Sequence, residues 1–203
     1  IRDFCLSRGL GDVYKRQYDE NTLPAFKASY DAGLRGFETD IRMTRDGALV
    51  ITHDSSLERT TDGTGTVEEK TEAEIRRLRT KQGNKVLFLD ELLEFLEGKE
   101  GLYVEFEMKT KPEALYPEER LHAYCDKLYD AVMAVKPADA TFVFTSGDYR
   151  GLRYLQAKHP GVDLLLITSK PCNDETIDLC KAMGIKRMGA TMDLSLIHIS
   201  EPT

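Results

Sequence analysis

The sequence has few cysteines, no long apolar run and no excess of basic residues. Its four cysteines (Cys5, Cys125, Cys172 and Cys180) are widely spaced and form no CxxC pair, so neither a zinc site nor a disulfide framework is indicated. No apolar run approaches the length of a membrane-spanning helix. A formal net charge of -7 argues against a nucleic-acid groove, because such surfaces need clustered lysine and arginine.

Length and composition place the chain among ordinary globular proteins. At 203 residues it suits one domain, yet it is short for a complete barrel built from eight βα units. Hydrophobic residues make up 41% and charged residues 31% of the sequence, which argues against disordered and membrane classes. The N-terminus lacks the pattern of a secretory signal, so we expect a cytoplasmic protein.

The two ends of the chain differ from its middle. Residues 1–17 and the tail from Ser195 show no helical or strand periodicity of any length. The strings CLSRGLGDVYKRQ and SLIHISEPT within them resemble translated sequencing-adaptor DNA. We therefore expect residues 1–17 and 194–203 to be non-native, and residues 18–193 to form the folded fragment.

Short β-rich runs alternate with helical segments between these ends. Strands are predicted at residues 36–43, 48–54, 102–109, 141–146, 163–168 and 185–190, and helices at residues 20–32, 71–78, 89–98, 118–135, 149–158 and 174–183. Such alternation is typical of parallel βαβ units, and it fits both an open doubly wound sheet and a closed barrel. Polar side chains late in several strands favour an α/β fold of the TIM-type (β/α) barrel class.

Acidic residues cluster late in two of the predicted strands. Glu38 and Asp40 are two apart on one strand, so their side chains project to the same face, and Glu107 repeats the arrangement two strands later. Carboxylates this close would take up a proton unless a cation lay between them. Oxygen ligands suit Mg²⁺ or Ca²⁺ better than zinc. We predict a divalent-metal site at these three residues; salt bridges to Arg42 and Lys109 are the alternative.

His53 ends a predicted strand, with Asp54 beside it. An imidazole can deliver or remove a proton near physiological pH, so His53 is a candidate acid/base catalyst. A structural histidine at a strand end is the alternative interpretation. His122 and His159, which lie on a helix or at its end, are expected to be structural.

Four sequence blocks occur in order: ENTLPAF from Glu20, GFETDIRMTRDGALVITHD from Gly36, LERTTDGTG from Leu57, and EFEMK ending at Lys109. Together they resemble consecutive motifs of the glycerophosphodiester phosphodiesterase family, in the family's order and with similar spacing. The resemblance is close over the first half of residues 18–193. It continues more loosely, through the βα pattern, to about Met192.

This resemblance implies a TIM-type barrel whose metal ligands are the three carboxylates of the predicted site. It implies that His53 is the second of two catalytic histidines, and that Lys109 and Glu20 line the phosphate and metal pocket as substrate-binding residues. The implied reaction is metal-dependent hydrolysis of glycerophosphodiesters to glycerol 3-phosphate and an alcohol. The implied partner is a small-molecule substrate, with no nucleic acid and no stable membrane insertion.

The chain departs from the family at the first catalytic histidine, which opens an HRG motif shortly before the ENT block. Here that region contains Ser7, Arg8 and Gly9, and a serine hydroxyl does not titrate near neutrality. We therefore expect the chain to be impaired. Loss of the first and last strands would also leave an incomplete barrel with two exposed edges.

Two other functions stay open from the sequence. A phospholipase D-like lyase on the same barrel would release a cyclic phosphate from a lipid, but the polar loop at residues 55–70 does not suggest the apolar mouth it needs. A non-catalytic domain would keep the metal site as a binding module. Such a module would take up metal without turnover.

Replacing residues 1–17 by a family segment that carries HRG tests the missing histidine. We expect the turnover of glycerophosphocholine with Mg²⁺ or Ca²⁺ to rise by about 10² to 10⁴ in this HRG-restored protein, the usual contribution of one acid/base group. The measurement is the rate of glycerol 3-phosphate release. Equal rates with and without the HRG segment would show that its absence does not account for any impairment.

Overall fold

The computed structural model describes residues 18–191 of the chain. The strands in this part are β1 (Gly36–Met43), β2 (Leu49–Ile51), β3 (Tyr103–Met108), β4 (Thr141–Ser146), β5 (Leu164–Pro171) and β6 (Arg187–Thr191). The α-helices are α1 (Leu23–Asp31), α2 (Glu72–Ile75), α3 (Leu89–Leu96), α4 (Glu118–Val135), α5 (Tyr149–Lys158) and α6 (Asp174–Ala182). The expectations for Ser7 and for the terminal segments lie outside the described residues.

All six strands belong to one sheet, in the order β2-β1-β3-β4-β5-β6. Strands β1, β3, β4, β5 and β6 are parallel to one another and are connected through helices, so the predicted βαβ architecture is confirmed. Strands β1 and β2 instead form an antiparallel hairpin, whose turn places Gly47 at a positive φ of 90°. Over residues 18–191 the sheet is open, with β2 and β6 at its edges.

The predicted strand at residues 48–54 is the one that differs most from the structure. Strand β2 ends at Ile51, so the predicted length is wrong. Beyond β2, the backbone carbonyl of His53 accepts hydrogen bonds from the Arg42 side chain, with Nε and Nη2 at 3.1 and 2.9 Å. His53 and Asp54 therefore lie on a loop that follows the hairpin, and not on a strand.

Burial alternates along β3 and gives the sheet two different faces. Val104, Phe106 and Met108 are buried in the main apolar core, which the helices cover. The Phe106 ring packs against two rings of β4, Phe142 and Phe144, with centroids 5.3 and 6.2 Å away. The alternate residues of β3 face the other side, where the barrel axis lies. None of the helices within residues 18–191 has the length and apolar character needed to span a bilayer.

A second, smaller apolar cluster lies beneath the long connection between β2 and α3. Its buried members are Val50, Leu57, Val67, Ile75, Val86 and Phe88. Helix α2 starts in this connection with the predicted capping box, since Thr71 N donates to Glu74 Oε2 at 2.8 Å and Glu74 N donates to Thr71 Oγ1 at 3.3 Å. The connection thus has an apolar core of its own, although it contains little regular structure.

Two buried tyrosines tie the region around α4 to β1. The Tyr124 hydroxyl donates to the Ile41 carbonyl at 2.9 Å. The Tyr116 hydroxyl accepts from the Met43 N–H at 3.0 Å and donates to Glu68 Oε1 at 3.2 Å. Burial is the main cause that raises the pKa of Tyr116 well above its usual value, so the phenol stays neutral. These bonds fix the C-terminal end of β1, where the polar residues lie.

Replacing Tyr116 by Phe should lower the free energy of unfolding by about 1–3 kcal/mol, because a buried N–H of Met43 loses its acceptor. Urea unfolding followed by circular dichroism measures the change. Tyr149→Phe is the control, because Tyr149 is exposed at the start of α5. Equal stabilities of the two variants would contradict the prediction.

Candidate metal centre

Strand pairing brings acidic side chains of β1 and β3 together. In the parallel register Glu38 pairs with Glu105, and Asp40 pairs with Glu107. Side chains two residues apart on a strand share a face, so these carboxylates all point to the inner side of the sheet. One oxygen each from Glu38, Asp40 and Glu107 lies within 4.8 Å of the others. The three predicted ligands therefore meet at one place.

The donor set fits a divalent cation. Asp40 is buried, while Glu38 and Glu107 are partly buried, so water only partly screens their mutual repulsion. The group consists of carboxylates alone, which favours a hard cation such as Mg²⁺ or Ca²⁺ over zinc. That these residues bind metal remains a prediction, and their convergence is the geometry that it requires.

Lys109, which directly follows β3, provides a positive charge beside the carboxylates. Its Nζ lies 2.6 Å from Glu107 Oε1 and 3.1 Å from Asp40 Oδ1. Burial raises the pKa of Glu107, and the Lys109 ammonium opposes that rise. Burial would lower the pKa of Lys109, but the two carboxylates outweigh it and raise this pKa. Three carboxylates and one ammonium leave two negative formal charges, which a divalent cation would balance.

Asn21 is a part of the site that the sequence analysis did not identify. Its Nδ2 donates to Asp40 Oδ2 at 2.9 Å, while Lys109 contacts the other oxygen of Asp40. Asn21 has a positive φ of 55°, a conformation that asparagine tolerates better than most residues. The available signal was its position in the ENTLPAF block, where only Glu20 was considered.

His53 lies on the loop after β2 and lines the same pocket as Glu20 and Asn21. Its influence on the pKa of the Glu107 carboxyl is a small lowering. The His53 Nδ1 atom lies 2.7 Å from Asp54 Oδ1, so a proton on Nδ1 would bond Asp54. Hydrogen bonding from Arg59, assisted by His53, lowers the pKa of Asp54 to about 2. Asp54 therefore stays ionised and orients the imidazole ring.

Glu20 is linked to His53 through two intermediate side chains. Its Oε1 accepts from Arg59 Nη2 at 2.5 Å, and Arg59 Nε also donates to Asp54 Oδ2. The Glu20 and Arg59 side chains are 42% and 51% exposed, so this ion pair lies at the rim of the site. The substrate-binding roles of Glu20 and Lys109 remain predictions. Lys109 contacts the carboxylates of Asp40 and Glu107, whereas Glu20 pairs with Arg59.

The alternative interpretation, in which the acidic residues form salt bridges with Arg42 and Lys109, is correct for one of these two partners. Lys109 does bridge Asp40 and Glu107. Arg42, by contrast, has Glu68 as its ion-pair partner, with Nη1 2.9 Å from Oε1. Glu68 comes from a one-turn 3₁₀ helix, Val67–Glu69, in the long connection after β2.

Known proteins resemble this chain in both sequence and fold. Residues 8–198 match the family described as the glycerophosphoryl diester phosphodiesterase family. A glycerophosphodiester phosphodiesterase of Caldanaerobacter subterraneus is 38% identical over 111 residues, covering 50% of this chain and 45% of the relative. One from Bacillus altitudinis is 31% identical over 104 residues, covering 48% and 42%. The chain matches less than half the length of these relatives.

Solved structures have the same fold. An Oleispira antarctica phosphodiesterase in complex with the product sn-glycerol-3-phosphate superposes with a TM-score of 0.76 at 23% identity, over 86% of this chain and 70% of that one. A glycerophosphoryl diester phosphodiesterase from Parabacteroides distasonis gives 0.63 at 26% identity, over 85% and 57%. These likenesses confirm the predicted TIM-type α/β fold, which is not closed over residues 18–191.

Removing the Asn21 side chain should weaken metal binding, because Asp40 would lose the donor that orients it. Partners of metal ligands typically contribute about 10- to 100-fold in affinity, and we expect a loss of that size for Asn21→Gly. Glycine keeps the positive φ of position 21. Isothermal titration with Mg²⁺ and Ca²⁺ measures the affinity, and Asn84→Gly is the matched control. Unchanged binding in Asn21→Gly would contradict the prediction.

Proposed function

The chain belongs to the glycerophosphoryl diester phosphodiesterase family, and from this membership we propose that it hydrolyses glycerophosphodiesters to glycerol 3-phosphate and an alcohol. The observation that carries the proposal is the convergence of three carboxylate oxygens within 4.8 Å, with His53 in the same pocket as Asn21, the hydrogen-bond partner of Asp40. Two curated relatives are named glycerophosphodiester phosphodiesterases. The related Oleispira antarctica enzyme holds sn-glycerol-3-phosphate as its product, which supports the same substrate class here.

Glu38, Asp40 and Glu107 would hold the divalent cation, Mg²⁺ or Ca²⁺. When bound, the cation would neutralise phosphate charge and polarise the phosphoryl group. Asn21 fixes one oxygen of Asp40 through its amide N–H, which keeps the carboxylate turned toward the site. Lys109 already lies against two of the carboxylates, so its ammonium can also donate to an oxygen of the substrate phosphate.

His53 would act as the general acid. Its Nδ1 faces Asp54 at 2.7 Å, so the other ring nitrogen, Nε2, is the atom that can give a proton to the departing alkoxide oxygen. Loss of the Nε2 proton leaves a neutral ring. That ring keeps its proton on Nδ1, which donates a hydrogen bond to Asp54. Asp54 stays ionised because of Arg59, so its carboxylate can accept a hydrogen bond from Nδ1 throughout the transfer.

A second histidine would act as base on a glycerol hydroxyl or on water in an intact family member. This chain has Ser7 in the corresponding region, which lies outside the described residues. A hydroxyl cannot take up the proton at neutral pH. Low turnover of the unchanged chain is therefore part of the proposal.

The proposed substrates are deacylated phospholipids, so the protein would act in lipid metabolism. We place this activity in the cytoplasm. Within the described residues, Cys125, Cys172 and Cys180 are free thiols, as is usual in a reducing compartment. The formal charge of -7 is consistent with a small-molecule substrate and not with nucleic acid.

Replacing His53 by Gln in the HRG-restored protein should lower kcat by about 10² to 10⁴, because the leaving oxygen loses its proton donor. Metal affinity should not change, since His53 is outside the carboxylate group. Phosphorus NMR of glycerophosphocholine with Mg²⁺ or Ca²⁺ follows the reaction. His122→Gln is the control, because the His122 ring stacks on Tyr154 between α4 and α5.

The same spectra separate the competing functions. Glycerol 3-phosphate as the final product supports hydrolysis, whether it forms directly or through a cyclic phosphate that is then opened by water. A cyclic phosphate that accumulates as the end product would point to the lyase reaction instead. Metal binding without any product in the HRG-restored protein would support the non-catalytic binding module and reject the enzyme assignment.

A further inference from the structure

Arg42 and Glu68 form an ion pair inside the protein. Arg42 Nη1 lies 2.9 Å from Glu68 Oε1, and the two side chains are only 8% and 2% exposed. Taking two charges out of water is costly, so a buried ion pair is weak support for a purely stabilising role. The other contacts of the Arg42 guanidinium therefore indicate its role.

Arg42 binds the backbone of two residues used in the proposed function. Its Nε and Nη2 donate to the His53 carbonyl at 3.1 and 2.9 Å, and its Nη1 approaches the Lys109 carbonyl at 3.4 Å. Arg42 lies on β1, two residues after Asp40 and on the same face. One rigid side chain thus joins the metal-ligand strand, the His53 loop and the end of β3.

Glu68 binds the Arg42 guanidinium at Nη1, whereas Nε and Nη2 bond the His53 carbonyl. Its Oε1 accepts from Arg42 and from the Tyr116 hydroxyl, and its Oε2 accepts from Ser55 Oγ at 2.7 Å. Ser55 is two residues beyond His53, so Glu68 also anchors the segment that carries the histidine. Both carboxylate oxygens are used, and Arg42 has little freedom to rotate.

Strand β2 ends at Ile51, and the chain that follows keeps a backbone bond to β1, from the Thr52 N–H to the Asp40 carbonyl at 2.9 Å. Asp54 orients the His53 ring, but it belongs to the same loop and cannot fix that loop relative to β1. Arg42 adds a second connection at His53 itself, since it extends from β1 to the His53 carbonyl. The contact is made to the backbone carbonyl of His53 and not to its imidazole ring.

We propose that Arg42 and Glu68 are a positioning pair, which sets the distance between His53 and the carboxylates of Glu38, Asp40 and Glu107. The inference rests on the proposed function, because the carboxylates matter here as metal ligands. Neither residue of the pair is placed on the substrate. Their loss should therefore misplace the acid without removing any catalytic group.

The test uses the double variant Arg42→Met/Glu68→Met, which replaces the ion pair by apolar side chains of similar length and avoids a lone buried charge. The matched control is Arg76→Met/Glu72→Met, which removes an exposed ion pair of 2.7 Å at α2. Arg42→Lys is the second test variant. It keeps the charge beside Glu68 but cannot present the planar guanidinium fork to the His53 carbonyl.

Position is measured directly with Mn²⁺ as the probe ion. Bound at the carboxylates, Mn²⁺ should strongly enhance the NMR relaxation of the His53 ring protons, and the enhancement should fall several-fold in both test variants. A second measurement needs no metal: amide hydrogen exchange of residues 52–57 should speed up in the test variants and not in the control. In the HRG-restored protein, kcat should fall roughly 10²-fold in the test variants while KM changes little.

Relaxation, exchange and kcat equal to those of the control would overturn the positioning role. A merely structural role predicts lower stability with unchanged His53 relaxation per bound Mn²⁺, which would also overturn it. Failure of the unchanged protein to bind Mn²⁺ would reject the proposed function instead. The hydrogen-exchange comparison would then still decide whether Arg42 and Glu68 hold the His53 segment.

Discussion

Three carboxylates share one partly buried corner of this protein, and their repulsion must be balanced wherever water is scarce. Glu38, Asp40 and Glu107 cannot separate, because the register of β1 and β3 fixes their backbones. The Lys109 ammonium balances part of the charge, and the Asn21 amide satisfies an oxygen of Asp40. The charge that remains is the physical basis of the proposed divalent-cation site.

Side chains alternate between the two faces of each strand, so one face carries apolar core residues and the other carries the polar residues of the site. On β3, the residues that alternate with Glu105 and Glu107 join an apolar core with the helices. A parallel sheet brings the C-terminal ends of neighbouring strands to one edge, so the polar ends meet without a dedicated scaffold. His53 is different, because it reaches the same edge from a loop and depends on side-chain anchors.

Local sequence patterns predicted the elements well, and they singled out three carboxylates that the structure brings together. The alternation GFETDIRM gives the bounds of β1, and the Thr71–Glu74 spacing gives the capping box of α2. Longer-range contacts were not predictable in this way. The bond from Asn21 to Asp40 joins residues 19 apart, and that from Arg42 to Glu68 joins residues 26 apart. Such partners depend on how the loops pack, which a periodicity does not encode.

The two supports of His53 differ in how they meet the solvent. The ring orientation depends on Asp54 and Arg59, and Arg59 is half exposed; the backbone position depends on Arg42 and Glu68, which are shielded. Dissolved ions screen exposed charges over about 8 Å at physiological ionic strength but reach buried pairs much less. Raising the ionic strength should therefore make the orientation of the His53 ring less fixed, while the His53 backbone stays in place.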